Sequence, residues 1–270
     1  MALPFRKPTR VRPAAPAALL VLAAVGAAFF LLPLIGLLLR TPWAAAWDQL
    51  RSPEVLTALR LSLLASFSAT AVALVFGVPL AWTLARLTFP GRAVLRAMTV
   101  LPMVLPPVVG GVALLLVFGR RGLLGGWLAS TFGIHLPFTT AGAIIAETFV
   151  AMPFLVITVE AGLRSMDTRF EDAARTLGAS RWTVLWRVTL PLVRPSLLAG
   201  AVLCWARALG EFGATITFAG NFPGRTQTMP LAVYLALETN PDAAIVLSLV
   251  LLAVSLAVLI GLRDRWLGAS

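Results

Sequence analysis

Six long apolar stretches alternate with short polar ones along this chain, at roughly 17–39, 56–84, 98–118, 141–163, 192–218 and 243–262. Each reaches the about 20 residues that a helix needs to cross a bilayer. Lipid offers the backbone no hydrogen-bonding partner, so a spanning segment must satisfy itself as a helix. The pattern predicts an all-α, polytopic membrane protein with six transmembrane helices, the fifth being the least apolar. Residues 17–265 read as one transmembrane domain between an N-terminal segment, 1–16, and a tail, 266–270. No stretch is left over for a separate soluble domain.

One polar island breaks the rhythm, between the fourth and fifth stretches, at 168–191. Thr168 and Glu171 form a T-x-x-E capping box that predicts a helix start. Phe170, Ala173, Ala174 and Leu177 then fall at i, i+3, i+4 and i+7, one apolar face of a short helix. Gly178 is placed to end it, because glycine accepts the left-handed backbone of a C-cap. Ser180 can cap a second helix, which Pro191 would stop or kink. Two short helices joined at a glycine elbow on the membrane surface make a shape suited to being gripped by another protein.

Composition sharpens this. The 270 residues are 59% hydrophobic and 12% charged, too few charges to cover a soluble domain of this size. With the N-terminus inside, cytoplasmic segments hold fifteen basic residues: Arg6, Lys7, Arg10, Arg12, Arg86, Arg92, Arg96, Arg164, Arg169, Arg175, Arg181, Arg187, Arg194, Arg263 and Arg265. The outer side holds six, namely Arg40, Arg51, Arg60, Arg120, Arg121 and Arg225. The positive-inside rule therefore predicts cytoplasmic termini and a cytoplasmic elbow. The net charge of +11 suits anionic lipid heads. It is not a nucleic-acid signal, since no basic stripe with interleaved aromatics stands free of the spans. The first apolar run, about 23 residues, exceeds a signal-peptide core of roughly 7–15, so it reads as a retained span. Cys204, the lone cysteine, reads as an apolar filler within a span. No His/Cys/carboxylate cluster predicts a metal site and no Ser–His–Asp set predicts catalysis. Lys7 is the only lysine and no G-x-x-x-x-G-K-[ST] occurs, so the chain holds no P-loop. If nucleotide hydrolysis drives this protein, another polypeptide performs it.

Inside the membrane, the run from Leu101 to Gly111 carries Pro102, Pro106 and Pro107, each lacking a backbone donor. Two readings stand: a hinge or pathway-lining element, or an ordinary proline kink. Arg207 and Glu211, at i and i+4, occupy the fifth stretch with Gly210, Gly213 and Thr215 close by. Either the pair mends its own burial, or it lines a conduit and meets a charged solute. Glu147 and Glu160 lie near opposite ends of the fourth stretch, where each could reach water. The segment from Gly220 to Pro230 is dense in turn residues and reads as an ordered outer loop.

The order Glu171-Asp172-Ala173-Ala174, Gly178 four residues later, then Val188-x-Leu190-Pro191 resembles the "EAA" loop of permease subunits of bacterial ABC importers. Asp172 stands at the family's glutamate and Val188 at its usual isoleucine. The segments 210–215 and 221–234 are similar to those of the molybdate permease branch, beside sulfate and tungstate permeases. This resemblance implies that Glu171, Asp172, Ala173, Ala174, Leu177, Gly178, Leu190 and Pro191 couple to an ATPase. It implies a homodimer of this chain in the bacterial plasma membrane, two P-loop ATPase subunits binding ATP and Mg, and a periplasmic or surface oxyanion-binding protein. The chain itself would be a transport subunit with no cofactor and no enzymatic activity. Pro102, Pro106, Pro107, Arg207, Glu211, Gly213 and Thr215 are then candidates to line the pathway. No dense arginine ring is visible, so tight coordination of the oxyanion is not expected. A proton-coupled secondary carrier would account for Glu147, Glu160 and Glu211, but not for the capped elbow.

Overall fold

The computed structural model describes residues 16–267. Arg6, Lys7, Arg10 and Arg12 lie outside the described residues, as does nearly all of the segment 1–16 and most of the tail 266–270. Helix α1 (Ala17–Arg40) is apolar on every side, with Pro33 inside it and no residue buried. A helix of 24 residues with that surface is one for lipid to cover. It forms a unit of its own, to Thr41, whose hydroxyl donates to the Leu37 carbonyl at 2.8 Å.

The second unit begins at Pro42. Its helices are α2 (Trp43–Leu50), α3 (Pro53–Arg86), α4 (Arg92–Val104), α5 (Pro107–Phe118), α6 (Gly125–Phe132) and α7 (Thr140–Ser165). After these come α8 (Arg169–Thr176), α9 (Arg181–Val184), a π-turn (Leu185–Thr189), α10 (Leu190–Leu192) and α11 (Arg194–Leu209). The unit closes with α12 (Gly213–Ala219), α13 (Met229–Thr239) and α14 (Pro241–Leu267). No strand occurs among the described residues.

Small residues decide how the long helices meet. Along α3, Ala65, Ala69, Ala73, Gly77 and Ala81 recur every four residues and are all buried. Such a stripe lets two backbones approach closely, which matters where lipid removes the hydrophobic drive for helix association. Helix α7 fills that stripe and runs through the middle of the unit. Leu155 of α7 is fully buried. A Cβ built on Gly77 of α3 would stand 3.1 Å from it, and one built on Gly200 of α11 would stand equally close on the other side. Cys204 joins this core with Ala151, Val159 and Ala208, as a filler should.

The count of crossings departs from the sequence reading. Among the described residues α1, α3, α7 and α14 are each long and apolar enough to cross a membrane. A fifth crossing appears if Arg181–Leu192 and Arg194–Leu209, bent by 71°, are taken as one. The stretches 98–118 and 192–218 are not continuous helices. The first breaks at Leu105 and Pro106, both extended, because a proline pushes the residue before it out of the helical region. Pro102, by contrast, sits buried inside α4 without ending it. The second stretch breaks between Leu209 and Gly213.

Candidate functional site

The polar island folds as an elbow whose turn is fixed by backbone geometry. Helix α8 ends in a Schellman motif: the Ala179 amide donates to the Ala174 carbonyl and the Gly178 amide to the Arg175 carbonyl, each at 3.0 Å. Gly178 adopts φ +84°, a region open to glycine and strained for branched side chains. Ser180 then starts α9, its hydroxyl accepting from the Thr183 amide at 3.1 Å. Pro191 is absorbed by the π-turn before it, where the Leu190 amide reaches back to the Leu185 carbonyl. That wider turn relieves the clash a proline ring makes with the carbonyl four residues back. The chain bends at Val193 instead, and Leu190 and Pro191 stand just before that bend.

The start of α8 corrects the capping-box expectation. Thr168 is itself helical and its side chain caps nothing; the Arg169 amide is taken by Asp167 Oδ1 at 3.0 Å. Glu171 is turned inward, because stronger donors wait there. Its Oε1 accepts from Thr189 Oγ1 at 2.7 Å and from Arg86 Nη2 at 3.3 Å. Glu171 and Thr189 are buried, and Arg86 is the end residue of α3. One carboxylate thus ties both arms of the elbow to the longest helix of the unit. Asp172, on the outer side of α8, pairs only with Arg175 among the described residues, at 3.2 Å.

The apolar residues read as one face of α8 are exposed. Phe170 is 57% and Leu177 89% accessible, beside Trp182 at 70% and Trp186 at 64%. Ala173 is exposed and Ala174 half-buried in the same stretch. A helix that turns its acid inward and its large apolar groups outward presents a surface for another body to cover. Between the end of α3, α8 and α9 lies a cleft of about 850 Å³ bordered by Arg86, Glu171, Asp172, Arg175 and Arg181. Gly178→Val is expected to distort this elbow, at about 1–2 kcal/mol for the left-handed backbone. Thermal unfolding of the variant in detergent should shift down accordingly; an unchanged midpoint would show that the elbow does not need its left-handed turn.

The two broken stretches meet. A Cβ on Gly213 would stand 2.9 Å from Pro107 Cβ and 3.2 Å from the Val108 amide nitrogen. A Cβ on Gly111 would stand 2.6 Å from Thr217 Cβ. Helices α5 and α12 therefore start side by side at bare backbone, directly after their breaks. Glu211 stitches the second break: its Oε1 accepts from the Ala214 amide at 2.8 Å, capping α12. Its Oε2 lies 2.6 Å from Arg207 Nη2, close but off the guanidinium's N–H line, so the attraction is chiefly one of charge. The pair joins the last turn of α11 to the cap of α12. Glu211 is 1% exposed and Thr215 is fully buried, with no partner for its hydroxyl. Pro106 is exposed and Pro107 half-buried.

Glu147 and Glu160 do not reach water as expected. Helix α7 is packed from several sides, so Glu147 is 1% exposed and Glu160 7%. Glu160 is held by Arg96 of α4 and by Arg164 at 2.9 Å. The turn-rich segment 220–230 is tied down by hydrogen bonds. The Phe222 carbonyl accepts the amides of Arg225, Thr226 and Gln227, and Thr140 Oγ1 donates to the Arg225 carbonyl at 2.8 Å. The Met229 amide, opening α13, donates to Ser62 Oγ of α3 at 2.7 Å.

Comparison with known proteins gives a consistent picture. The chain is 46% identical over 245 residues to the molybdenum transport system permease protein ModB of Mycobacterium tuberculosis, covering 90% of this chain and 92% of that one. It is 44% identical over 210 residues to the Escherichia coli protein of the same name, covering 78% and 92%. The sulfate transport system permease protein CysT of Escherichia coli is 39% identical over 237 residues, covering 86% and 85%. Among solved structures, a bacterial alginate ABC transporter in complex with its alginate-bound periplasmic protein superposes with a TM-score of 0.74 at 18% identity, covering 90% of both chains. That likeness shows a shared fold. Residues 75–268 match the family described as the binding-protein-dependent transport system inner membrane component. This chain is therefore a multi-pass membrane permease, a transport component belonging to the family of inner-membrane components of binding-protein-dependent transport systems.

Proposed function

We propose that the chain is the permease subunit of an ATP-driven importer of a tetrahedral oxyanion, molybdate foremost, with sulfate or tungstate as the alternative cargo. Higher identity to the molybdenum permeases than to the sulfate permease supports that order. The carrying observation is the elbow, whose Phe170, Leu177 and Trp182 lie uncovered while Glu171 fastens it to α3. An ATPase subunit seated on that apolar face would move α3 and the bent α9–α11 segment together. Asp172, Ala173 and Ala174 lie within the grip, and Leu190 and Pro191 lead from it into α11. The full assembly is then two copies of this chain, two P-loop ATPase subunits holding ATP and Mg, and an external oxyanion-binding protein. Both termini and the elbow face the cytoplasm.

An energised route suits the cargo. Moving a dianion inward against an inside-negative potential costs about 2.3 kcal/mol per charge per 100 mV, roughly 4–5 kcal/mol in all. A passive pore would run the other way. The prolines 102, 106 and 107, with Arg207, Glu211, Gly213 and Thr215, border the two breaks at which α5 and α12 can shift against their preceding helices. Proteoliposomes holding this chain, the cognate ATPase and the binding protein should accumulate labelled molybdate only with internal ATP, and excess sulfate should compete weakly. Accumulation that survives ATP removal and collapses with a protonophore would replace this reading with a proton-coupled carrier.

A further inference from the structure

Three arginines gather where α3 ends and α4 begins, at the elbow end of the unit. Arg92 donates through Nε and Nη2 to the Leu84 carbonyl at 3.0 and 2.6 Å. Arg96 Nη2 and Arg164 Nη2 approach the same oxygen at 3.3 and 3.5 Å. A carbonyl oxygen has two lone pairs, so four N–H groups on one oxygen exceed what it can accept. The nearest further acceptor is Glu160, whose Oε1 takes both Arg96 and Arg164. Among the described residues, three guanidinium groups against one carboxylate leave two positive charges uncompensated at this spot. Nη1 of all three arginines donates to nothing among the described residues. Arg92, Ala93, Arg96 and Arg164 border an open recess of about 700 Å³, and the first turn of α4 adds its own positive end.

We propose that this recess binds a tetrahedral dianion through Arg92, Arg96 and Arg164. Donors in excess of acceptors, planar forks that match two oxygens at once, and a surplus of two charges are what such a group requires. The oxyanion is either a free dianion or the phosphate of an anionic lipid head, and the chemistry of the recess is the same for both. The site stands on the arginine geometry alone. Only its meaning as a cytoplasmic station for the cargo rests on the importer reading.

The test uses the full-length chain in nanodiscs of phosphatidylcholine, titrated calorimetrically with molybdate, sulfate and phosphate at fixed ionic strength. Wild type should bind a dianion, and Arg92→Gln/Arg164→Gln should weaken it by about tenfold or more. Arg96 is kept so that Glu160 remains paired. Should that variant fold poorly, Ala93→Glu, at an exposed position on the recess, should abolish binding by placing a carboxylate there. If no free anion binds, native mass spectrometry on nanodiscs doped with phosphatidic acid should count lipid retained by wild type and lost by the variants, making the source a lipid. Equal binding by wild type and variants, or no binding of either probe, overturns the site. ATP-driven uptake measured on the same samples stays independent: uptake without anion binding sinks the site alone, and anion binding without ATP-driven uptake sinks the importer reading alone.

Discussion

Glu211→Ala is expected to destabilise the protein by about 3–5 kcal/mol, since removing one partner of a buried pair strands the other charge. Two losses coincide. Arg207, whose side chain is 28% exposed, keeps a charge without its salt-bridge partner. The Ala214 amide, opening α12, loses the acceptor that caps it. Glu211→Gln should fall between, because the amide oxygen can still cap α12 while the charge is gone. Arg207→Ala leaves a buried carboxylate that retains the Ala214 amide, so its cost should be smaller than that of Glu211→Ala. The double variant Arg207→Ala/Glu211→Ala should be less damaged than the sum of the singles. Thermal or SDS-induced unfolding in detergent measures all four. If instead Arg207→Ala keeps full stability and loses uptake, the arginine serves the passing anion rather than the break in its own backbone. Unchanged stability and uptake in every variant would leave the pair with neither role.

The size of that effect follows from where the pair sits. Helices α5 and α12 begin together at Pro107 and Gly213, with no side chain thick enough to keep them apart. Neither helix continues the backbone of the one before it, because one break is made by two prolines and the other by Gly210 and Glu211. Glu211 is the only side chain that accepts from the amides opening α12 among the described residues. The fold therefore concentrates a charge, a helix cap and a hinge in one carboxylate.

What could be read beforehand followed the range of each interaction along the chain. Gly178 was legible because a Schellman turn is built within six residues, and only its own φ decides it. The prolines were legible as a kink or hinge, since Leu105 is forced extended by its neighbour, but not as a break that parts the stretch into two helices. Glu171 was misread as a capping residue because its real partners, Arg86 and Thr189, stand 85 and 18 positions away. Local spacing favours a cap, but a guanidinium and a hydroxyl in a buried corner hold a carboxylate more strongly than one backbone amide does. Arg92, Arg96 and Arg164 looked like dispersed positive-inside charges; their meeting at Leu84 needs α7 to pack beside the α3–α4 corner. Helix α13 escaped notice because its 11 residues are too few to span a bilayer and follow a turn-rich loop. Glu147 was placed near water from its position in the stretch, and only the packing around α7 takes it away.

Glu171→Ala is expected to separate grip from transmission. The substitution removes the carboxylate paired with Arg86, whose side chain is 17% exposed and whose Nε lacks a partner among the described residues. Thr189 Oγ1 would keep only the Val184 carbonyl, at 3.4 Å. The loss should be about 3 kcal/mol, as for other mostly buried charge pairs deprived of one member. Yet Phe170, Leu177, Trp182 and Asp172 lie on the outer side of the elbow and are untouched. The ATPase subunit should therefore still co-purify with the variant, while stimulation of ATP hydrolysis by the loaded binding protein falls by tenfold or more, an effect of about 1.4 kcal/mol per tenfold. Thr189→Val, which removes one hydroxyl and keeps the ion pair, should show the same split in milder form. Arg86→Ala should be milder than Glu171→Ala, because Glu171 keeps the Thr189 hydroxyl at 2.7 Å and Arg175 at 4.0 Å. If Glu171→Ala abolishes ATPase binding and Thr189→Val has no effect on stimulation, the carboxylate shapes only the docking surface. The tie between elbow and α3 would then carry no motion.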